Sequence, residues 1–418
     1  MRELKDSGIE RYGLIPSGWK VLRLKYVLEN YDNQRQPIDA GKRCQDGEIL
    51  YDYYGASGII DKIDGYTHSG RRILIGEDGA NLLLRNLPLI YIANGKYWVN
   101  NHAHVLAPKY DWSVDYFAYQ LESIDYFEYI TGSAQPKLSQ SNLNKVQLIV
   151  PSNEEQIQIA DYLNAKCKKL NSVALDIQEQ MDILEKYKNS FISEAVTKGL
   201  NRQVEMRESG IKWVSRLPSH WAIIPSKYLF RDSDLRKQAG DVQLTASQKY
   251  GIISQEEYME RENAKVVLAN QGLDDWKHVE PYDFVISLRS FQGGLEMSET
   301  TGCITWHYVV LKATKPIYPK FYKWLFKSSM YITAIQRTCN FIRDGQDLRY
   351  SNFSQVPLYE PPVEEQKEIA DYLDKKCAEI DAIIASKQKQ LETLEAYKKS
   401  LIFEYVTGKK EVINHGDY

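Results

Sequence analysis

Two short spacings in this 418-residue chain are of a kind that chemistry uses. His102-x-His104 has the spacing of two metal ligands, and Glu365-x-Lys367 imitates the acid-lysine pair of a nuclease centre. Neither has the company it needs. No third ligand lies near the histidines in sequence, and Glu365 falls inside a long helical pattern. Gly41-Lys42-Arg43 and Gly95-Lys96-Tyr97 lack the context of a GxxxxGK[ST] phosphate loop. No GxGxxG follows a strand. Glu360-Pro-Pro-Val363 is the nearest approach to the Asn/Asp-Pro-Pro-aromatic tetrapeptide of amino-methyltransferases. The expectation is a chain with no catalytic or metal residues of its own. An enzyme whose nuclease or methyltransferase site goes unrecognised is the alternative.

A second set of residues suits recognition. Polar loops run through Tyr53–Gly58, Gly76–Asn81 and Asn100–His104, and again through Ser287–Gly294 and Arg337–Arg343. Arg, Asn, Gln and His are the types that hydrogen-bond base edges in the major groove, and glycines let backbone approach phosphate. The candidate DNA-binding residues are Asn81, Arg85, Asn101, His102, Gln135 and Lys137 in the first half of the chain. In the second half they are Arg289, Gln292, His307, Arg337, Asn340 and Arg343. For single residues the competing reading is an ordinary polar turn, and for His102 and His307 a buried core histidine. The net charge of −3 lends no support, because sequence-independent affinity comes from neutralised phosphates. Charge segregated onto one face, or a partner, must supply the rest.

These loops need elements to hold them, and an internal repeat organises the elements. Pro151 to Cys167 matches Pro361 to Cys377 without a gap, and about 22 of 50 positions from Pro151 onward are identical at an offset of 210. Pro16-Ser-Gly-Trp19 matches Pro218-Ser-His-Trp221 more faintly, and between these frames the similarity nearly vanishes. Similar frames around dissimilar interiors imply duplication and divergence: one job done on two targets. Each repeated segment carries apolar residues at alternating steps of three and four. The first seam runs through Leu163, Leu170, Ile177 and Leu184, with Lys188 the one interruption. The second runs through Leu373, Ile380, Leu391 and Leu394, interrupted by Lys387 and Lys398. These are coiled-coil seams of about five heptads. Asn153-Glu-Glu-Gln156 reads as a capping-box start, and Lys198-Gly199 and Thr407-Gly408 read as stops. A single seam needs a partner, and the other copy is the obvious one. Antiparallel pairing, which gives a pseudo-two-fold axis, is the expectation. At ~1.5 Å per residue, Ala160 to Ala195 spans roughly 50 Å, against roughly 34–36 Å for one DNA turn. The pair is therefore a candidate spacer; the plainer reading is a dimerisation zipper.

The interiors read as mixed α/β. Strands are expected at Ile73–Ile75, Leu89–Ile92 and Val105-Leu106, with counterparts at Phe284–Ser287 and Tyr308–Leu311. Amphipathic helices are expected at Asp115–Leu121 and Lys320–Phe326. The 30 tyrosines are mostly half-buried packing residues. The fold expected is two copies of a mixed α+β domain, alternating with two long α-helices that pair as an antiparallel coiled coil. The boundaries fall at 1–150, 151–203, 204–360 and 361–410, with a tail at 411–418. Five scattered cysteines without a CxxC pair argue against a disulfide framework or a zinc ribbon. A charged start, Met1-Arg2-Glu3-Leu4-Lys5-Asp6, and no apolar run of roughly 18 residues point to a cytoplasmic chain without membrane contact.

This ordered pattern resembles the specificity subunit of type I restriction-modification systems over essentially the whole chain. The residues that carry it are Pro151 through Glu-Glu-Gln156 with Ile159-Ala-Asp-Tyr-Leu163, and Pro361 through Glu-Glu-Gln366 with Ile369-Ala-Asp-Tyr-Leu373. The Trp19 and Trp221 entries, Tyr54–Gly58 with Gly76–Gly79, and Leu288–Gly294 add to it. The resemblance implies two target-recognition domains, each reading half of a bipartite double-stranded DNA sequence, with the helices as spacer. It implies two methyltransferase (modification) subunits docked on the assembly, and restriction subunits that translocate and cleave. S-adenosylmethionine, ATP and Mg would then sit on those partners and no cofactor on this chain. A coiled-coil adaptor with no DNA role is the remaining rival.

Overall fold

The computed structural model describes residues 2–43, 48–78, 80–131, 136–263, 265, 272–287, 290–338 and 348–412. Four of the candidate residues, Gln135, Arg289, Asn340 and Arg343, lie outside this set. The chain divides into two compact units, Met1–Ile177 with Lys389–Tyr418, and Gln178–Gln388. Both cuts fall inside the long helices Asn153–Lys198 and Val363–Val406.

In the first unit, strands Leu28–Asn30, Ala103–Pro108, Arg72–Gly76 and Ile90–Ala93 lie in that order in one antiparallel sheet. The two-residue period of a strand sends alternate side chains to opposite faces, and here both faces are covered. Ile73 and Ile75 pack with Phe117 and Leu121 of the helix Val114–Glu122. Leu74 and Val105 face the other way, onto Tyr54, Tyr97 and Val99. Those three come from a second sheet, ordered Gly58–Asp64, Leu50–Gly55, Lys96–Val99, His68–Ser69. Burial on both sides is why Arg72-Ile-Leu-Ile-Gly76 reads as a continuous apolar run rather than an alternating one.

The second unit repeats this plan with different residues. Its sheet runs Phe230–Ser233, Val309–Ala313, Phe284–Ile286, Glu296–Met297. Phe284 and Ile286 meet Phe321 and Phe326 of the helix Pro319–Lys327, while Val285 joins Val279, Ile304 and Val310. The expected strands and the two amphipathic helices are all present.

The repeated Pro-x-x-Glu-Glu-Gln segments fasten each long helix to its own unit. Gln156 is fully buried; its amide donates to Pro151 O (3.1 Å) and accepts from Ser113 N (3.2 Å). Gln366 does the same with Pro361 O (2.8 Å) and Tyr318 N (2.8 Å). The preceding glutamates receive the tryptophan indoles, Trp19 on Glu155 (3.2 Å) and Trp221 on Glu365 (3.0 Å). Glu365 also bonds His220 (2.8 Å), so the nuclease-like Glu365-x-Lys367 is an anchor for the helix start. The capping box lies one residue earlier than expected. Ser152 Oγ accepts from Glu155 N (3.3 Å) and the Glu155 carboxylate accepts from Ser152 N (3.1 Å). Gln156 fits the same motif because it is adjacent to Glu155 and chemically alike, but its amide is engaged in the core.

Burial along the helices follows the expected seams. From Leu170 to Lys188, and from Ile384 to Lys398, every seam position is half-buried and every residue between is exposed. Pairing is antiparallel within each unit. In the first, Tyr162 packs on Tyr405 (4.5 Å between centroids) and Lys398 donates to Asn171 (2.7 Å). In the second, Phe191 meets Tyr372 (5.3 Å), Lys188 pairs with Asp381 (2.5 Å), and Lys387 donates to Gln180 (2.5 Å). Each seam lysine thus reaches a polar group on the facing helix. Asn171 and Asp381 are equivalent under the offset of 210, as are Lys188 and Lys398, so one contact is made twice by internal symmetry. The helices stop at the expected glycines: Gly199 and Gly408 both take φ of about +70°, which costs glycine nothing. A Cβ at Gly408 would sit 2.5 Å from Pro16 and 2.8 Å from Trp19.

Candidate nucleic-acid interface

The first unit gathers three of its candidate residues at one end of its central sheet. Strand Ala103–Pro108 pairs with Arg72–Gly76 from Ala103 opposite Gly76. The turn before it, Asn100–His102, therefore lies beside Glu77 and Asp78, which follow Gly76. Glu77 N donates to His102 O (2.9 Å), and Leu138 N donates to Glu77 O (3.0 Å), bringing in the segment of Lys137. At the surface the His102 Nδ1 bonds the Asp78 carboxylate, and Lys137 Nζ lies 3.2 Å from the other Asp78 oxygen. That contact raises the Lys137 pKa, so the lysine stays charged.

A buried layer lies beneath. His104 is 1 % exposed; its Nδ1 meets Asp32 at 2.5 Å and its Nε2 meets Leu138 O at 2.7 Å. A carbonyl only accepts, so Nε2 carries a proton. Burial by itself would raise the Asp32 carboxyl; the His104 bond and charge outweigh it and hold the pKa below the ordinary value. Asp32 also accepts from Val105 N (2.8 Å). Arg35 lies alongside and donates to Glu77 (2.9 Å), Ala103 O (3.1 Å), Asn101 O (3.3 Å) and Asp32 O (3.2 Å).

The two histidines of His102-x-His104 therefore take different carboxylates, one at the surface and one in the interior. The core reading fails for His102, which is exposed because it sits on the turn; it applies instead to His104. Among the described residues, no bond joins Asn81 or Arg85 to this cluster. The Asn81 side chain accepts from Leu87 N (2.8 Å) and donates to Leu87 O (3.1 Å). Arg85 donates to Glu122 O (2.8 Å) and to Ile124 O and lines a groove of about 760 Å³ with Tyr91, Tyr119, Glu122 and Lys398.

In the second unit His307 is exposed as well, which also removes its core reading. It occupies the turn Thr305–Tyr308, closed by Tyr308 N donating to Thr305 O (3.0 Å), just before strand Val309–Ala313. Trp306, 53 % exposed, stacks on the His307 ring with centroids 3.6 Å apart. Gln292 is exposed in the short helix Ser290–Gly293, and Arg337 lines a shallow cavity of about 270 Å³ with Lys212, Trp213 and Met330. Sequence reasoning missed Arg35, Asp32 and Trp306. A Trp beside a candidate histidine is a usable signal; Arg35 and Asp32 carry none, since their partners lie roughly 40 to 70 residues away along the chain.

Comparison with known proteins adds the following. Residues 16–193 match the family described as type I restriction modification DNA specificity domain. A putative type I restriction enzyme specificity subunit of Haemophilus influenzae is 33% identical over 147 residues, 35% of this chain and 36% of that protein. The putative MjaX specificity subunit of Methanocaldococcus jannaschii is 23% identical over 444 aligned residues, 96% of this chain and 95% of that one. The chain thus spans about a third of the length of the first relative in alignment and nearly all of the second. A solved structure, described as the structural basis of complex assembly and conformational transition of the type I R-M system, shares the fold. Its TM-score is 0.63 at 13% identity, over 95% of this chain and 99% of that one.

Proposed function

We propose that this chain, whose residues 16–193 match the type I restriction modification DNA specificity domain, is a specificity subunit that reads a bipartite DNA sequence, one half by each unit. The observation that carries the reading is a duplicated frame around two different interiors. Each interior offers a polar turn at the same place in its sheet, Asn100–His102 in one and Thr305–Tyr308 in the other. Duplicate frames imply the same task; unlike turns imply unlike targets. In the first unit, Asn101, His102 and Lys137 present donors and acceptors to base edges and phosphate. In the second, His307, Gln292 and Arg337 do so.

The chain itself does no chemistry under this reading. Methyltransferase subunits dock on it, restriction subunits join them, and S-adenosylmethionine, ATP and Mg belong to those partners. A net charge of −3 suits a reader whose partners supply most of the phosphate neutralisation. The long helices set the distance between the two half-sites and offer docking positions in duplicate. Val173 and its equivalent Ile383 are 46 % and 47 % exposed, and Tyr187 and its equivalent Tyr397 are 59 % and 55 % exposed. Apolar side chains kept exposed at both copies suit two copies of one partner.

Methylome sequencing of a host expressing this chain with its methyltransferase subunit tests the proposal. The expected result is a split adenine-methylated motif that vanishes when the chain is deleted. Methylation independent of the chain would overturn the reading.

A further inference from the structure

We propose that Arg35 is a positioning residue for base recognition by the first unit: it holds the turn that carries Asn101 and His102 without contacting DNA. The inference rests on the proposed DNA-reading role of that turn and adds a residue that no sequence motif marks.

The geometry is specific. Three chain segments meet at the reading end, 100–103, 77–78 and 137–138, and a turn displayed on such a junction needs something to fix its backbone. Arg35 supplies it. One guanidinium nitrogen serves Asn101 O, Ala103 O and the Glu77 carboxylate together, so both sides of His102 are tied to the strand end opposite. Nε donates to Asp32 O, and the Asp32 side chain, through His104 and Val105 N, anchors the strand that leaves the turn. The Arg35 side chain is only 16% exposed, as is that of Glu77, whereas that of His102 is 47% exposed. The clamp is covered and the proposed reader is open. A lysine in its place keeps the charge that balances Asp32 and Glu77, but it is a point donor: it cannot hold the Asn101 and Ala103 carbonyls from one nitrogen and the Asp32 carbonyl from another, as Nη1 and Nε of the guanidinium do.

The second unit closes its matching turn with a backbone bond, Tyr308 N to Thr305 O. Loss of the clamp should therefore be felt in one half-site alone. A merely structural arginine would weaken both halves together, because a destabilised chain is lost from the assembly as a whole.

The test uses the full chain with its methyltransferase subunit and reads adenine methylation at sites carrying one mismatched base in either half. R35K is the main variant because R35A removes every bond of the clamp at once, leaving Glu77 only the more distant Lys137, and risks misfolding; H102A removes the proposed reader while sparing the clamp. R35K is expected to reduce discrimination about tenfold in one half-site, the same half that H102A affects, with the other half at the native level and the melting temperature of the complex unchanged. Native discrimination in both halves for R35K overturns the proposal, as does an equal loss in both halves with a lowered melting temperature. If the unaltered chain directs no bipartite motif, the DNA-reading function itself fails and the role of Arg35 with it.

Discussion

His104 and Asp32 lie beneath the turn Asn100–His102 and show how a covered pair supports an exposed one. The pair is covered, and its carboxylate is held charged below its ordinary pKa. A folded-state pKa lower than the unfolded one means that stability is fully present above the unfolded value and is lost as pH falls through the folded one. The advantage of the native chain over Asp32→Asn in denaturant unfolding should therefore begin to shrink below about pH 5. It should go on shrinking as pH falls past the ordinary carboxylate pKa of about 3.9. A difference that stays constant over that range would show that Asp32 contributes nothing as an anion. A related demand explains why Gln156 and Gln366 occur in both repeats. A fully buried amide must have its polar atoms engaged or it costs about 1–3 kcal/mol, and each of these glutamines closes the join between a domain segment and a long helix.

At the scale of elements, the seam is half-buried along its middle, so no single apolar residue there dominates. The lysine interruptions are the seam positions expected to set register. Polar residues at seam positions commonly specify alignment at a cost in stability, and Lys188 and Lys398 meet equivalent partners, Asp381 and Asn171. Asp381 is 53% exposed at its side chain, so the pair belongs to the weak class, worth about 0–1 kcal/mol. Lys188→Glu should lower the midpoint of thermal unfolding slightly by placing like charges together. Adding Asp381→Lys should restore most of the loss, and the double-mutant cycle isolates the coupling. A double variant no more stable than the single would mean that the contact does not define the register.

Across the whole molecule, each compact unit is built from separated stretches of chain. The first needs residues from 389 onward as well as 1–177. Leu401, Ile402, Tyr405 and Val406 share its core with Ile159, Leu163 and Cys167, and the Tyr116 hydroxyl donates to Val406 O (3.0 Å). A fragment ending at Ile177 would leave that apolar face open to water. It should melt at a lower temperature than the same fragment mixed with a peptide of residues 389–412. Equal melting with and without the peptide would mean that this end of the helix closes nothing.

Much of the architecture is legible in the chain's periodicities. The 210-residue offset, the steps of three and four, and the alternation of strand and helix patterns are local, because each records which face of an element avoids water. Burial then follows periodicity, even down to the half-buried seam lysines. The cap lies one residue from the position the pattern favours, because adjacent acid and amide side chains satisfy the same motif. The candidate site is only partly legible. Loops 76–81 and 100–104 stand out by composition, yet composition does not say that Asn81 and Arg85 spend their side chains on backbone while His102 and Lys137 converge on Asp78. Arg35 and Asp32 carry no signal at all. Sequence determined the elements and their duplication, since those depend on periodic burial. Tertiary structure decided which polar groups meet, since a hydrogen bond joins whatever the chain's reversals bring within about 3 Å.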